Sequence, residues 1–485
     1  MLTLKEAIEA SEAANYGILS ENALRNVAVN ALTIAGPDPA IGTERQRKLL
    51  QDTLKTNLRY ESADCLVIQE MVREIDVDYL IRWGMALEQG SANLRPERAA
   101  RSIATYLLDN GLNSGFLHRW LTSKIRKKET SALPEIVASA QAMVSKPPEI
   151  FRALVAFESA PENRSQMPSQ WIEASQVSDW LNRNGFSSAG IRQNGGLWII
   201  VSAREPSSAI DAVIEMIDRM TARVAVGRNA ELKPLPFAWI EGQRKAYPLR
   251  HRRRGVEIHA LYRENQLYPE GPNSIVDAAI ELLAPLAYSS PSAAVAGGWA
   301  AIEALLGSRG DTDKGFAGDR MAMIVACSFP RAELTPLSYV VEKQGGDLAV
   351  RIGACETNRD RAALLVEAIN SKADLHLPDL SDQAALRRIE ELLLNPYRAI
   401  HDIRGHVTAA FRRLYRQRNL VLHGGRTDAV ALRASLRTAA PLVGAGMDRL
   451  AHAWLVNKVQ PLELAAKAKI KLEECERTPC IDLLA

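Results

Sequence analysis

The chain has 485 residues, of which 47% are hydrophobic and 24% are charged, and its formal net charge is +3. This length exceeds a single compact core and the composition excludes a long disordered region, so we expect about two to four globular domains. No run approaches about 18 continuous apolar residues, which predicts that no segment spans a membrane. The five cysteines are scattered and odd in number, which predicts a reduced, cytoplasmic protein without a zinc site.

The first part of the chain shows the period of amphipathic helices. Segments such as TLKEAIEASEAA and ERAARSIATYLLDNG carry apolar residues at three- and four-residue spacing. Turn sequences such as NG and GPDPAIG separate these segments. We therefore predict a helical N-terminal domain over residues 1–145, in which no cluster of residues indicates a particular chemistry.

The pattern changes between residues 146 and 270. KPPEIFRALVAFE, GGLWIIVSA and LPFAWIEG are typical of strands, whereas ASQVSDWLNRNG and PSSAIDAVIEMIDRMTARVAVG are typical of helices. With AGIRQ as a further strand, joined to GGLWIIVSA by a hairpin, the order is β-α-β-β-α-β, which predicts a ferredoxin-like α+β domain. GVEIHALYR, residues 255–263, is predicted to add one more strand.

Two features of this middle domain allow more than one interpretation. An exposed sheet with aromatic side chains can bind single-stranded RNA, but only Trp198 stands out on its strand, which favours a role in core packing. The basic run RHRRR, Arg250–Arg254, either attracts nucleic acid or protects the edge of a surface strand by its charge.

Helical patterns return over residues 271–485 and predict a helical bundle with its own core. The stretch 335–377, which includes YVVEKQGGDLAVRIGA, interrupts this pattern and predicts an inserted hairpin or loop. GSRGDTDKG lacks the later glutamate of a calcium loop, so we expect Asp311 and Asp313 to act as turn or cap residues between helices. The whole chain is therefore expected to be mainly α and multidomain.

The segment FRRLYRQRNLVLHGGR, residues 411–426, ends a long predicted helix with an unusual set of polar residues. Apolar side chains at helical spacing indicate docking on a core, and Gly424 and Gly425 supply a stop. His423 would then lie in the last turn, where a histidine commonly caps carbonyl groups and complements the helix dipole. The alternative to such a cap is a role in chemistry.

Arg418 precedes His423 by five residues and Asn419 precedes it by four. At about 100° per residue Arg418 and His423 lie about 140° apart, whereas Asn419 and His423 share a face. We therefore expect that one helix alone does not place the arginine beside the histidine, and that a two-fold dimer brings two copies of each around one cleft. Such a cleft has what RNA cleavage needs, a histidine to transfer protons and an arginine to neutralise phosphate, without a metal.

The motif YRQRNLVLHGG, with its Arg-x4-His spacing, and the preceding GWAAIEALLG helix resemble HEPN domains, most closely the ApeA-like HEPN group of bacterial defence proteins. The resemblance covers about residues 275–455 and does not explain the first 270. HEPN proteins typically form dimers with a composite, metal-independent ribonuclease site made from the Arg and His of both protomers. The resemblance implies that Arg418 and His423 are catalytic and that Asn419 helps to orient them.

The resemblance also implies the function. It predicts a cytoplasmic, metal-independent endoribonuclease without a cofactor, which acts in antiviral defence or as a toxin and cleaves RNA as a homodimer. Residues 1–270 would then sense a trigger or select the RNA. The alternative is a non-catalytic HEPN module for dimerisation or nucleotide binding, in a sensor or adaptor. A metal-dependent nuclease is disfavoured because the sequence shows no carboxylate cluster.

Charged residues around the motif complete the predicted site. Glu303, on the apolar WAAIEALLG helix, is expected either to pair with an arginine of the motif helix and hold it, or to point outward. Four arginines either contact the RNA backbone or face the solvent, and we assign them to RNA binding: Arg412, Arg413, Arg416 and Arg426.

Overall fold

A computed structural model of the chain describes residues 1–90, 96–126, 133–160, 168–228, 231–264, 274–476 and 479–484. Helices make up 69% of the structure and the only sheet among these residues is small and antiparallel, so the predicted mainly α class is confirmed. The chain divides into two compact units, Met1–Arg252 and Arg253–Ala485. The domain boundary predicted at residue 270 lies outside the described residues, and the division into three domains stays a prediction. Within the described ranges, no helix is long and apolar enough to cross a membrane.

The first part of the N-terminal unit is helical, as the sequence predicts. Its helices are α1 (Leu2–Asn15), α2 (Glu21–Ala35), α3 (Glu44–Lys55), α4 (Ala63–Glu88), α5 (Pro96–Asp109), α6 (Ser114–Arg126) and α7 (Leu133–Ser145). The side chains of Ser20, Thr43 and Ser62 each accept the amide N–H three residues further on, which starts α2, α3 and α4. Helix α4 contacts α1, α3 and α7 and carries the fully buried Trp83, so it forms the centre of this part.

The second part of this unit contains a five-stranded antiparallel sheet in the order β2-β3-β1-β4-β5. Its elements are β1 (Glu149–Ser159), β2 (Trp171–Ile172), α8 (Ala174–Arg183), β3 (Gly196–Ala203), α9 (Pro206–Arg228), β4 (Lys233–Ile240) and β5 (Ala246–Pro248). The strands predicted at KPPEIFRALVAFE, GGLWIIVSA and LPFAWIEG are confirmed as β1, β3 and β4. The two predicted helices are confirmed as α8 and α9.

The order of the elements departs from the predicted β-α-β-β-α-β unit. AGIRQ, residues 189–193, forms no strand, and the position beside β3 is taken by β2, which precedes α8 instead of following it. The AGIRQ segment is held as a loop, because Gln193 Nε2 donates to the carbonyl of Ala174 at 2.8 Å and Ile191 packs on the core beside α8. The hairpin prediction at this point is therefore wrong.

The two helices lie on opposite faces of the sheet. Helix α9 packs on the face that contains Val155 and Phe157, whereas α8 packs on the face that contains Leu154. A ferredoxin-like unit has both helices on one face, so that prediction is wrong for this sheet. Trp198 packs edge to face against Trp180 of α8, with 5.2 Å between ring centroids. The predicted packing role of Trp198 is confirmed.

The C-terminal unit is helical in its described residues. Its helices are α10 (His259–Arg263), α11 (Ile275–Tyr288), α12 (Pro291–Leu306), α13 (Phe316–Gln344), α14 (Asp347–Gly353), α15 (Asn358–Asn370), α16 (Leu380–Leu394), α17 (Pro396–Leu422), α18 (Leu432–Asn457) and α19 (Pro461–Glu473). Helix α13 packs against α12, α15, α17, α18 and α19 and is the central helix of the unit. The candidate motif lies at the end of α17.

The stretch 335–377 contains no hairpin. Helix α13 continues through Pro330 and Pro336 to Gln344, and α14 and α15 follow within the same stretch. Gly345 and Gly346 have φ values of +81° and +90°, which are favourable for glycine at a helix stop. The glycine pair therefore separates two helices, and the prediction of an inserted hairpin is wrong.

Residues 255–263 form no strand either. Their last five residues form α10, and the amide of Ala260 donates to Oδ1 of Asp448 on α18 at 2.6 Å. Ala260 is fully buried, so this segment is fixed by packing on a helix and not by pairing with a strand.

Arg254 of the basic run donates to the carbonyls of Leu286 and Ser289, at 3.1 and 2.6 Å. The edge strand β5 ends at Pro248, just before the run, so the interpretation as protection of a strand edge stays a prediction.

Candidate active site

Close packing fixes the position of the motif helix α17. A Cβ atom added to Gly318 of α13 would lie 3.1 Å from Cβ of Phe411 and 3.2 Å from the ring of Trp299 on α12, so only glycine fits there without a shift. Phe411 and Trp299 are fully buried. Trp299 also contacts Tyr415 of α17, with 4.7 Å between ring centroids. The three helices therefore hold the segment before the motif in one place.

The end of α17 is closed by backbone hydrogen bonds. The amide of His423 donates to the carbonyl of Asn419 at 2.9 Å, and the amide of Arg426 donates to the carbonyl of Leu420 at 3.0 Å. Gly425 has a φ of +65° and turns the chain away from the helix axis. The predicted glycine stop is confirmed. The side chain of His423 is exposed, and its contact in the structure is with another side chain instead of with the last carbonyls.

The motif residues contact one another within a single chain. Nη1 of Arg418 lies 3.0 Å from Nε2 of His423 and 3.0 Å from Oδ1 of Asn419. The expectation that one helix does not bring the arginine beside the histidine is therefore wrong. The angle around a helix describes only the direction in which a side chain leaves the backbone. The arginine side chain is long enough to reach around the helix to the histidine. In addition, His423 lies just after the last helical residue.

The hydrogen bond between these side chains defines the state of the histidine. A guanidinium group only donates hydrogen bonds, so Nε2 of His423 is the acceptor and the neutral ring carries its proton on Nδ1. Nε and Nη2 of Arg418 have no hydrogen-bond partner among the described residues, and the side chain is partly exposed. This edge of the guanidinium can therefore receive two oxygens of a phosphate group.

Arg412 and Arg416 are placed differently from the expectation. Arg412 pairs with Asp313 and Asp319, with 2.8 Å between its Nε and Oδ1 of Asp319. Burial lowers the pKa of Arg412, but the two carboxylates outweigh this effect and raise it. Arg416 is only 6% exposed. An RNA backbone cannot reach a buried or doubly paired guanidinium without breaking the bundle, so the geometry contradicts an RNA-binding role for both arginines.

Replacing Arg412 by alanine is expected to lower the free energy of unfolding by about 1–3 kcal/mol, because two carboxylates would lose their partner in a partly buried position. Urea-induced unfolding of the full chain measures this loss. Arg398→Ala is the matched control on the same helix, since its pair with Asp402 is exposed and 3.9 Å long and should be worth less than about 1 kcal/mol. Equal losses in both variants would contradict a structural role for Arg412.

Arg413, Arg426 and Glu303 are the other residues of the predicted site. Arg413 and Arg426 are partly exposed, and their assignment to RNA binding stays a prediction. Oε1 of Glu303 lies 3.7 Å from Nζ of Lys314. The loop after α12 thus supplies the partner of Glu303, and the prediction that it pairs with an arginine of the motif helix is wrong.

The loop between α12 and α13 is held by two aspartates and contacts α17 through the pair of Asp313 with Arg412. Asp311 accepts the amide N–H of Ser308 at 2.8 Å, and both of its carboxylate oxygens pair with Arg320 at 2.6 Å. Asp313 accepts the amide of Gly315 at 2.8 Å. The prediction that the two aspartates are turn or cap residues is therefore confirmed. The hydrogen bonds from Arg320, followed by that from Ser308, lower the pKa of Asp311 to about 2.

The variant Asp311→Asn is expected to have a lower free energy of unfolding than the wild type at neutral pH, and this difference should disappear in acid. The folded pKa of about 2 lies below the ordinary value of 3.8, so the carboxylate stabilises the fold above about pH 4 and this contribution is lost as the pH falls toward 2. Free energies of unfolding of the wild type and the variant should differ most near neutral pH and converge toward pH 2. Parallel curves between about pH 4 and pH 2 would contradict this assignment.

Sequence reasoning missed the residues that hold the motif helix from outside it. Asp319 is 93 residues from Arg412 in the chain, and no local pattern links the two.

In the part of the chain that the structure describes, no three histidine, cysteine, aspartate or glutamate side chains are grouped so that they could hold a metal ion. Searches against protein-family models, curated proteins and solved structures find no match to this chain.

Proposed function

We propose that this protein is a metal-independent endoribonuclease of the HEPN type, with Arg418, Asn419 and His423 as its active site. The observation that carries this proposal is the contact of 3.0 Å between Arg418 Nη1 and His423 Nε2 at the exposed end of α17. A histidine that can transfer protons beside a cation that can bind phosphate suits attack of a 2′-hydroxyl on the adjacent phosphorus. The role in defence or as a toxin is part of this proposal.

We infer the order of events from these two hydrogen bonds. An RNA phosphate binds the Nε and Nη2 edge of Arg418, and as negative charge builds on the phosphate, Nη1 turns from His423 toward it. Nε2 of His423 is then free to take the proton of the 2′-hydroxyl. The 2′-oxygen bonds to phosphorus, the bond to the 5′-oxygen breaks, and that oxygen leaves with a proton. The products are a 2′,3′-cyclic phosphate and a 5′-hydroxyl end.

Asn419 and a second copy of the chain complete the proposed site. Oδ1 of Asn419 accepts from Nη1 of Arg418 and so orients the guanidinium. One histidine that has acted as base still needs an acid for the leaving oxygen. In a two-fold dimer of the motif helix, His423 of the partner subunit supplies this proton in its protonated, imidazolium form, once the arginine beside it has turned to the phosphate. Residues 1–270 are proposed to sense a trigger or to select the RNA.

The test is incubation of the full-length protein with total cellular RNA in EDTA. We expect cleavage with 2′,3′-cyclic phosphate and 5′-hydroxyl ends, detected by end-specific labelling and mass spectrometry. Cleavage that requires added magnesium, or that leaves 5′-phosphate ends, would refute the proposed mechanism. Sedimentation of the same sample measures whether the active species is a dimer.

A second candidate function is a non-catalytic module for dimerisation or nucleotide binding. One observation favours it: the lone pair of Nε2 in His423 is already used by the hydrogen bond from Arg418, so the base is occupied in the free protein. RNA or nucleotide binding without turnover, measured on the same sample in EDTA and in magnesium, would support this function over the ribonuclease.

A further inference from the structure

Two arginine side chains meet at the surface of the N-terminal unit, where α6 begins. Nη1 of Arg252 and Nη1 of Arg119 lie 3.1 and 3.5 Å from the same point, the position that a Cβ atom of Gly115 would take. Both arginines are exposed. The two guanidinium groups are therefore close enough together for one phosphate group to contact both.

A serine hydroxyl group holds each of these arginines. Nη2 of Arg119 donates to Oγ of Ser207, in the first turn of α9, at 3.2 Å. Nη1 of Arg252 donates to Oγ of Ser114, the first residue of α6. Among the described residues neither serine hydroxyl donates a hydrogen bond of its own, so each can donate to an oxygen of a bound anion.

The nearby carboxylates are already bound to other hydrogen-bond donors. Glu205 is buried, and its two oxygens accept the amides of Ser207 and Ser208, both at 2.7 Å. Oδ2 of Asp211 accepts from Nδ2 of Asn113 at 2.6 Å. These interactions hold the starts of α6 and α9 together and keep both carboxylates in place.

A third acid, Asp218 of α9, binds the residue just before Arg252. Its Oδ2 lies 2.5 Å from Nε2 of His251. In the part of the chain that the structure describes, no carboxylate pairs with Arg119 or Arg252, and Arg250 is exposed without a partner. The free N–H donors of these guanidinium groups therefore face the solvent.

We propose that Arg119 and Arg252, with the hydroxyl groups of Ser114 and Ser207, bind the phosphodiester backbone of a nucleic acid strand. Guanidinium groups match the oxygens of a phosphate, and the two hydroxyl groups supply further donors. Because both arginines are exposed, the site is open at its sides and accepts a chain that continues on both sides of the bound phosphate. Arg250, two residues before Arg252, adds positive charge next to the site.

This site is separate from the proposed active site. It lies within the unit Met1–Arg252, whereas Arg418 and His423 lie within Arg253–Ala485. Contacts to phosphate carry no sequence information, so the site positions a strand without reading its bases. Binding here does not depend on the proposed ribonuclease activity.

Fluorescence anisotropy of a labelled 2′-O-methyl RNA strand, titrated with the full-length protein at several salt concentrations, tests this site. The strand has no 2′-hydroxyl that could attack the phosphate, so the proposed cleavage cannot affect the result. We expect this strand and a DNA strand of the same sequence both to bind, and the affinity to fall as the salt concentration rises. No binding of either strand, or tighter binding of a phosphoserine peptide of equal charge, would overturn the proposal.

Two altered proteins locate the site by opposite means. The double variant Arg119→Gln/Arg252→Gln removes both cations, whereas Gly115→Asp keeps them and adds a carboxylate between them, in the first turn of α6, where an acidic residue is favourable. Each should lose one phosphate contact. The slope of the logarithm of the affinity against that of the salt concentration should then decrease in size by about 0.7, and the affinity by about fivefold at about 0.1 M salt.

The control is Arg183→Gln, which should bind both strands as the wild type does. Arg183 is an exposed arginine of the same unit, and its partner Asp179 lies 3.9 Å away. Wild-type affinity in both altered proteins, or a loss of affinity for only one of the two strands, would overturn the assignment. Gly115→Asp keeps the test decisive even if the double variant does not fold.

Discussion

Replacing His423 by alanine is expected to lower the rate of RNA cleavage by about 10²–10⁴-fold, the usual effect of removing a general acid–base. The variant loses Nε2, the atom that lies 3.0 Å from Nη1 of Arg418 and that would take the proton of the 2′-hydroxyl. The single-turnover rate on a single-stranded RNA in EDTA at neutral pH measures the effect. Because His423 is exposed and the helix end is closed by backbone hydrogen bonds, the fold should be unchanged.

Two further variants complete this experiment. Arg418→Ala should reduce cleavage to a similar extent, because the phosphate loses its cation. His406→Ala is the matched control, since His406 is an exposed histidine on the same helix, and it should cleave as the wild type does. If His423→Ala and Arg418→Ala both cleave RNA as fast as the wild type does, the motif only ends the helix and the activity lies elsewhere. Circular dichroism and sedimentation confirm that each variant is folded and has an unchanged oligomeric state.

Replacing Phe411 by alanine is expected to lower the free energy of unfolding by about 3–5 kcal/mol. The ring is fully buried where α17 packs on Gly318 of α13, and the close fit around Gly318 limits how far the helices can collapse into the space that the ring leaves. The midpoint and slope of the urea-induced transition measure the loss.

The control for this variant is another aromatic residue of α17. Tyr397 lies in the first turn and is 36% exposed, so Tyr397→Ala should cost less than Phe411→Ala. A loss of less than about 1 kcal/mol for Phe411→Ala would contradict the packing described for α13 and α17. Wild-type stability with altered cleavage would instead indicate that Phe411 acts on the site directly.

Local patterns in the sequence determined much of the secondary structure. The helical period over residues 1–145 and at α8, α9 and α17, and the apolar runs of β1, β3 and β4, were sufficient because each depends on neighbours within a few residues. The stop at Gly425 was predictable for the same reason, since a left-handed residue at a helix end is a local requirement. The choice of Arg418, Asn419 and His423 also came from their spacing in the sequence.

Tertiary contacts decided the elements in which local preference was weak. GVEIHALYR alternates like a strand but packs on α18, where Asp448 receives the amide of Ala260. AGIRQ could pair with β3, but Trp171–Ile172 occupies that edge. In both cases the partner is far away in the sequence, and the free energy of packing exceeds the small intrinsic preference for a strand.

The sequence by itself therefore determined the mainly helical class, the position of the helix end and the polar residues presented there. Only the tertiary structure decided what those residues contact: Arg412 binds Asp313 and Asp319, and Arg418 reaches His423. The physical reason is that periodicity fixes the face from which a side chain leaves the backbone. The length of the side chain and the charges on neighbouring helices then decide which group it binds.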